Sequence, residues 1–122
     1  MHILLIDDDH DLCHLTKITL AKHGYQVSTF SDAEAGIKSA RNNKPNLILM
    51  DVLLPGISGA EAVKTLKSDS QLENVPVVFL TALIAGEEQN LENINVDSSY
   101  YRTLGKPYEI DQLLKVVREC AK

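Results

Sequence analysis

Six polar residues fall where short apolar runs end: Asp7, Asp8 and Asp9 after Ile3-Leu4-Leu5-Ile6, Asp51 after Leu47-Ile48-Leu49-Met50, Thr81 after Val77-Val78-Phe79-Leu80, and Lys106 after Leu104-Gly105. If the chain brought them together, the carboxylates would repel, and either a proton or a cation would have to neutralise them. Mg²⁺ suits such a group, because it prefers hard oxygen ligands and commonly uses one or two carboxylates with waters and phosphate oxygens. A lysine and a hydroxyl beside the cation would complete a phosphate cradle, with charge from Lys106 and a hydrogen bond from Thr81. A carboxylate held there can act as a nucleophile and become an aspartyl phosphate, with positioning and charge neutralisation supplying most of the catalysis.

The elements that would position these groups are legible as alternating strands and helices. Residues 2–7, 25–30, 46–51 and 75–81 read as strands, and 101–105 as a weaker fifth. The apolar runs do not alternate with polar residues, the mark of strands buried on both faces. Between them lie helices. The first spans 11–23, carries Leu12, Leu15 and Leu20, and stops at Gly24. The second opens at a capping box with Ser31 as N-cap and Glu34 three positions on. The third opens at Ser58-Gly59 and bears Ala62, Val63 and Leu66, and the last sets Ile110, Leu113, Leu114 and Val117 on one face. Residues 83–95, with Leu91 and Ile94 as apolar anchors amid the polar run from Gly86, read as a marginal helix, the candidate moving part. Strict alternation predicts a doubly wound α/β domain with five parallel strands and helices on both faces, the whole chain 1–122 forming one domain. Ligands of such sheets bind beyond the carboxyl ends of the strands, where the six polar residues gather.

Composition narrows the function further. The chain has 122 residues, 44% of them hydrophobic, and 12 Lys plus Arg against 17 Asp plus Glu, for a net charge of −5. That balance argues against direct binding to nucleic acid or an anionic membrane surface, and no apolar run is long enough to span a bilayer. With no signal-like N-terminus, the expectation is a cytoplasmic domain. Cys13 and Cys120 form no motif and read as ordinary thiols. His10 and His14 stand at i, i+4 beside the acidic edge but lack a third ligand at metal-binding spacing.

Four segments together resemble the receiver domains of response regulators in two-component signalling, of the chemotaxis-regulator type. They are Ile3-Leu4-Leu5-Ile6-Asp7-Asp8, the stretch from Asn46 through Asp51 and Pro55-Gly56 to Gly59, Phe79-Leu80-Thr81-Ala82, and Lys106-Pro107-Tyr108. The resemblance implies a flavodoxin-like sheet of order 2-1-3-4-5. It implies that Asp51 is the phosphoacceptor, that Asp7, Asp8, Asp51 and the Leu53 carbonyl hold Mg²⁺ (or Mn²⁺), and that Thr81 and Lys106 bind phosphoryl oxygens. The implied donor is the phosphohistidine of a sensor histidine kinase or phosphotransfer protein. The implied role is a signalling switch and not an enzyme in the usual sense, although it catalyses its own phosphorylation and dephosphorylation. Its readout face would comprise the 83–95 segment, the fifth strand and the last helix. An output domain, a downstream protein partner or a second copy of the chain all suit that face, and a free-standing receiver and a piece of a longer regulator or hybrid kinase both fit the sequence.

Three features depart from the family pattern. Thr103 stands where many receivers carry an aromatic residue, with Tyr100 and Tyr101 as substitutes to weigh. Residues 96–100 lack the usual glycine, which predicts an unusual loop or shifted helix end there. Leu53 and Leu83 flank the acceptor pocket with apolar side chains, which predicts a long-lived aspartyl phosphate. The peptide bond before Pro107 is open to either isomer. Three rivals remain: a pseudo-receiver that binds partners without phosphorylation, a haloacid-dehalogenase-like phosphohydrolase using Asp7 and Asp9, and a flavodoxin-like flavin binder. The last lacks a Ser/Thr/Gly-rich phosphate loop.

Overall fold

The computed structural model describes residues 1–82, 93–96 and 99–121. Five parallel strands form its centre: β1 (His2–Ile6), β2 (Gln26–Phe30), β3 (Leu47–Asp51), β4 (Val77–Ala82) and β6 (Ser99–Lys106). They lie in the order β2-β1-β3-β4-β6, the expected arrangement. A sixth strand, β5 (Asn93–Val96), adds to the far edge antiparallel to β6.

The strands pack by their two-residue period. Leu4, Ile6, Ile48, Met50, Val77 and Phe79 form one core with α2 (Ala33–Asn42) and α3 (Gly59–Lys67). Ile3, Leu5, Leu47, Leu49, Val78, Leu80 and Leu104 form the other with α1 (His10–Lys22) and α4 (Ile110–Cys120). Both faces of the central strands are thus covered, as unalternating apolar runs require.

Local readings needed several corrections. Helix α2 is capped by Asp32, whose carboxylate accepts from the Ala35 amide at 2.8 Å, and not by Ser31. The charged oxygen one position later sits at the extended residue from which the helix starts, and it is the stronger acceptor for a helix N-terminus. The buried stripe of α1 is Cys13, Thr16 and Leu20, whereas Leu15 is exposed. Ile110 is likewise exposed, and α4 buries Leu113, Leu114, Val116 and Val117. The marginal helix over 83–95 lies mostly outside the described residues, but its described end, Asn93–Asn95, is strand. Asn93-Ile94-Asn95-Val96 alternates polar and apolar with β-branched residues, a period-two pattern that suits an edge strand. Pairing on both sides also lengthens the expected weak strand 101–105 to the eight residues of β6. No described helix is long and apolar enough to cross a membrane.

Candidate functional site

Asp7 follows Ile3 and Leu5 in strand parity, Asp51 follows Leu47 and Leu49, and Lys106 follows Leu104, so the pleat aims all three toward the α1/α4 side at the carboxyl edge. Lys106 Nζ donates to Asp7 Oδ2 at 2.9 Å and to Asp51 Oδ2 at 3.1 Å. The ion pairs are largely dry, with side-chain exposures of 17% for Lys106, 0% for Asp7 and 9% for Asp51. Asp8 is exposed, yet carboxylate oxygens of Asp7, Asp8 and Asp51 all lie within 4.8 Å of one another.

Backbone amides hold the carboxylates in place. The Asp9 amide donates to Asp7 Oδ1 at 3.0 Å, and the Leu53 amide donates to Asp51 Oδ1 at 3.1 Å. The second bond turns the chain after β3 back over its own aspartate, and Gly56 completes the turn at φ +81°, a conformation that disfavours a side chain. Gly59 opens α3 so close to β3 that an added Cβ would lie 2.7 Å from the Asp51 carbonyl oxygen. Ser58 caps this helix by accepting from the Glu61 amide at 3.2 Å.

Burial pushes the Asp51 carboxyl up from its ordinary value, and the Asp7 charge adds to that push; the bonds from Lys106 and the Leu53 amide oppose it without cancelling it. Burial alone would lower the Lys106 ammonium, but its bonds to Asp7 and Asp51 more than offset this and raise it. The site is therefore a pair of crowded carboxylates held together by one cation, a state that a further cation or a phosphoryl group would rebalance.

Thr81, the penultimate residue of β4, has the parity of Val77 and Phe79, toward the α2/α3 side, and pairs with Gly105. It is half-buried, and no hydrogen bond joins its hydroxyl to the carboxylates among the described residues. Four of the expected site residues thus converge, while Thr81 stands beside them. Leu53 is 78% exposed at the mouth, and Leu83 lies outside the described residues. His10 and His14 are exposed and outside the carboxylate cluster, and Asp9 is engaged as the α1 cap, accepting from the Leu12 amide at 3.1 Å. An open cleft of about 450 Å³, lined by Asp8 and residues 31–34 and 55–57, adjoins the cluster.

Thr103 lies opposite Phe79 in register. Tyr101, two positions earlier on that face, packs edge-on against Phe79 with ring centroids 5.7 Å apart, and Lys67 Nζ lies 5.8 Å from the Tyr101 centroid. Tyr101 lies four positions before Gly105, the Thr81 partner, about 13 Å along the strand. The side chain of Tyr100 lies outside the described residues.

Two contacts had no sequence signal beyond the i, i+3 spacing of Cys13 and Thr16. The Cys13 thiol, pushed up to about 11 by burial and the nearby aspartates, donates to the Asp7 carbonyl at 3.3 Å. The Thr16 hydroxyl meets the Tyr108 hydroxyl at 2.6 Å. Burial raises that phenol to about 12, so it stays protonated. The Lys106-Pro107 bond is cis.

Comparison with known proteins identifies the scaffold. The family described as response regulator receiver domain matches residues 3–118. The uncharacterized transcriptional regulatory protein YkoG of Bacillus subtilis is 33% identical over 96% of the chain, which spans 49% of that protein. Protein PilH of Pseudomonas aeruginosa is 30% identical, with 94% of this chain matching 93% of its own. The chain thus spans about half of one curated relative and nearly all of another. The structure of the chemotaxis response regulator CheY4 of Vibrio cholerae superposes with a TM-score of 0.82 and 27% identity, covering 98% of this chain and 97% of its own.

Proposed function

The chain belongs to the response regulator receiver domain family, and from that premise we propose that it is a phosphorylation switch with Asp51 as the acceptor. The observation that carries the proposal is the Lys106 ammonium bridging Asp7 and Asp51, with the Asp8 carboxylate in the same cluster. Three oxygen donors this close, one of them with a raised proton affinity, match the hard, anionic set that Mg²⁺ takes. Asp7, Asp8, Asp51 and the Leu53 carbonyl are the residues that would hold it. Bound there, the ion would neutralise carboxylate charge and that of the phosphoryl oxygens.

The remaining work falls to the chain. An Asp51 carboxylate oxygen attacks phosphorus in line, the P–N bond to the donor imidazole breaks, and the imidazole leaves with that electron pair. The Leu53 amide holds the carboxylate in one orientation during the attack. Lys106 exchanges its bond to Asp51 for one to a phosphoryl oxygen, and Thr81 closes on another from the neighbouring strand end. That rearrangement shifts the population of the face formed by β6 and α4. A sensor kinase or phosphotransfer protein in the cytoplasm supplies the phosphoryl group, and an output domain or protein partner reads the face.

Intact-mass spectrometry after incubation with acetyl phosphate and Mg²⁺ tests the reading. The expected result is one adduct of about 80 Da, absent from Asp51→Asn and from a chelated control. Absence of any adduct, together with no binding of beryllium fluoride, would overturn it.

A further inference from the structure

Helix α1 touches both ends of the ion pair that defines the site. On its buried stripe, Cys13 donates to the carbonyl of Asp7, and one turn on Thr16 bonds Tyr108, two residues after Lys106. The Thr16–Tyr108 bond joins residues 92 apart in sequence, and Thr16 is only 2% exposed. The buried polar residues of the described chain are Asp7, Asp51 and Thr16, and the first two belong to the acidic cluster. A buried hydroxyl on a helix face otherwise given to packing is costly unless bonded, so its partner constrains the structure strongly. The segment it pins is short: Lys106 ends β6, and Pro107 and Tyr108 follow before α4 begins at Ile110.

We propose that Thr16 and Tyr108 are positioning residues, a latch from α1 that sets the reach of the Lys106 ammonium toward Asp7 and Asp51. With the latch closed, the turn after β6 is held at a fixed height over α1, while Cys13 ties the same helix to the backbone of the Asp7 partner. With it open, the turn keeps the β4 pairing of Lys106, the Glu109 cap of α4 and the packing of the Tyr108 ring, but loses its hydrogen bond to α1. Because the Lys106 bonds are 2.9 and 3.1 Å, a displacement of about 1 Å would break both. The catalytic consequence rests on Asp51 being the phosphoacceptor, whereas the geometric claim does not.

The experiment uses Thr16→Val, Thr16→Ser, Tyr108→Phe and the double variant Thr16→Val/Tyr108→Phe. The two single deletions remove one hydroxyl each, Thr16→Ser keeps it and the double variant removes both, all with little change of volume, and thermal melts establish that each folds. The first readout is the ¹⁵N–¹H correlation of the Lys106 ε-ammonium in cation-free protein, which reports slow proton exchange through hydrogen bonding. It should be present in wild type and Thr16→Ser and broadened away in Thr16→Val and Tyr108→Phe. The second is the rate of acetyl phosphate labelling, which should fall about fivefold in each single variant, the factor for losing one neutral hydrogen bond. The double variant should be no slower than either single one, because one bond is lost in all three. An intact ammonium signal in Thr16→Val and Tyr108→Phe would overturn the latch, even if their melting points fall, as would additive rate losses. Failure of the wild type to label or to bind beryllium fluoride would sink the phosphoacceptor reading and leave the latch standing, since the ammonium signal still decides it.

Discussion

Replacing Lys106 by Met should destabilise the cation-free protein more than any other single change at the site. The substitution keeps most of the aliphatic stem and removes the only cation described as bonded to both Asp7 and Asp51. Breaking a buried ion pair by deleting one partner costs about 3–5 kcal/mol, because the remaining charge stays buried. Lys106 retains 17% exposure and Asp51 9%, so water reaches the site and the lower end, about 3 kcal/mol, applies at pH 7. For a chain of this size that corresponds to a melting temperature lower by about 12 °C. The loss must also depend on pH with a definite sign. Burial and then Asp7 raise Asp51 above its ordinary 3.8, with Lys106 pulling it back. A carboxyl raised in the fold binds more protons there than in the unfolded chain, so stability is full below 3.8 and declines as pH rises through the folded value. Without Lys106 the rise is larger and the decline extends further toward neutrality. Urea unfolding of both proteins from pH 4 to pH 8 should therefore show a small penalty at pH 4 that grows to its full size near pH 7. Millimolar Mg²⁺ should shrink it by binding the folded carboxylates. A penalty under about 1 kcal/mol at pH 7, or one of equal size at pH 4, would refute the account of the site as crowded carboxylates held by one cation.

Further outcomes follow from the same geometry. Gly59→Ala should cost about 1–3 kcal/mol in urea unfolding, because the new Cβ would meet the Asp51 carbonyl at 2.7 Å and the Phe79 ring at 3.1 Å; an unchanged midpoint would mean that α3 can move away freely. Leu53→Asn and Leu83→Glu should each shorten the half-life of the aspartyl phosphate, by about tenfold if a hydrogen-bonding side chain orients the attacking water to the extent of 1.4 kcal/mol. Mass spectrometry of the decaying adduct measures this, and an unchanged or longer half-life would count against the prediction. His2 is lowered from 6.5 by burial and by the N-terminal ammonium; its Nε2 meets Ser28 Oγ at 2.8 Å, and its Nδ1 is buried without a partner. The unfolded chain thus takes up this proton first, so the His2 contribution is full above pH 6.5 and is lost as pH falls below it. His2→Gln should flatten that part of the stability–pH curve, and an unaltered slope would show that His2 is solvated.

The central sheet was legible because its information is local. Runs such as Leu47-Ile48-Leu49-Met50 bury on both faces and need two covering layers wherever they lie, so five parallel strands with flanking helices follow from pattern alone. Asp7, Asp51 and Lys106 were legible for a related reason: each ends such a run, and parallel strands bring their carboxyl ends to one edge. Cap identity was harder, because Ser31 and Asp32 both satisfy the composition rule and only the backbone path decides that Asp32 meets the Ala35 amide. The strand Asn93–Val96 was missed because its alternation spans four residues, too short to outweigh a weak helical spacing until β6 offers an edge to pair with.

What the sequence determined by itself was the inventory: which residues could hold a cation, take a phosphoryl group or bury a core, and the order of the elements carrying them. Tertiary structure alone decided the distances. It put Lys106 on both carboxylates at once, left the Thr81 hydroxyl unbonded to them, turned α1 so that Thr16 and not Leu15 faces inward, and brought Thr16 to Tyr108. Local pattern fixes which face of a strand or helix is apolar within a turn or a pleat. The rotation that brings one hydroxyl to another depends on how two cores fill around a twisted sheet, and no window of sequence contains that sum.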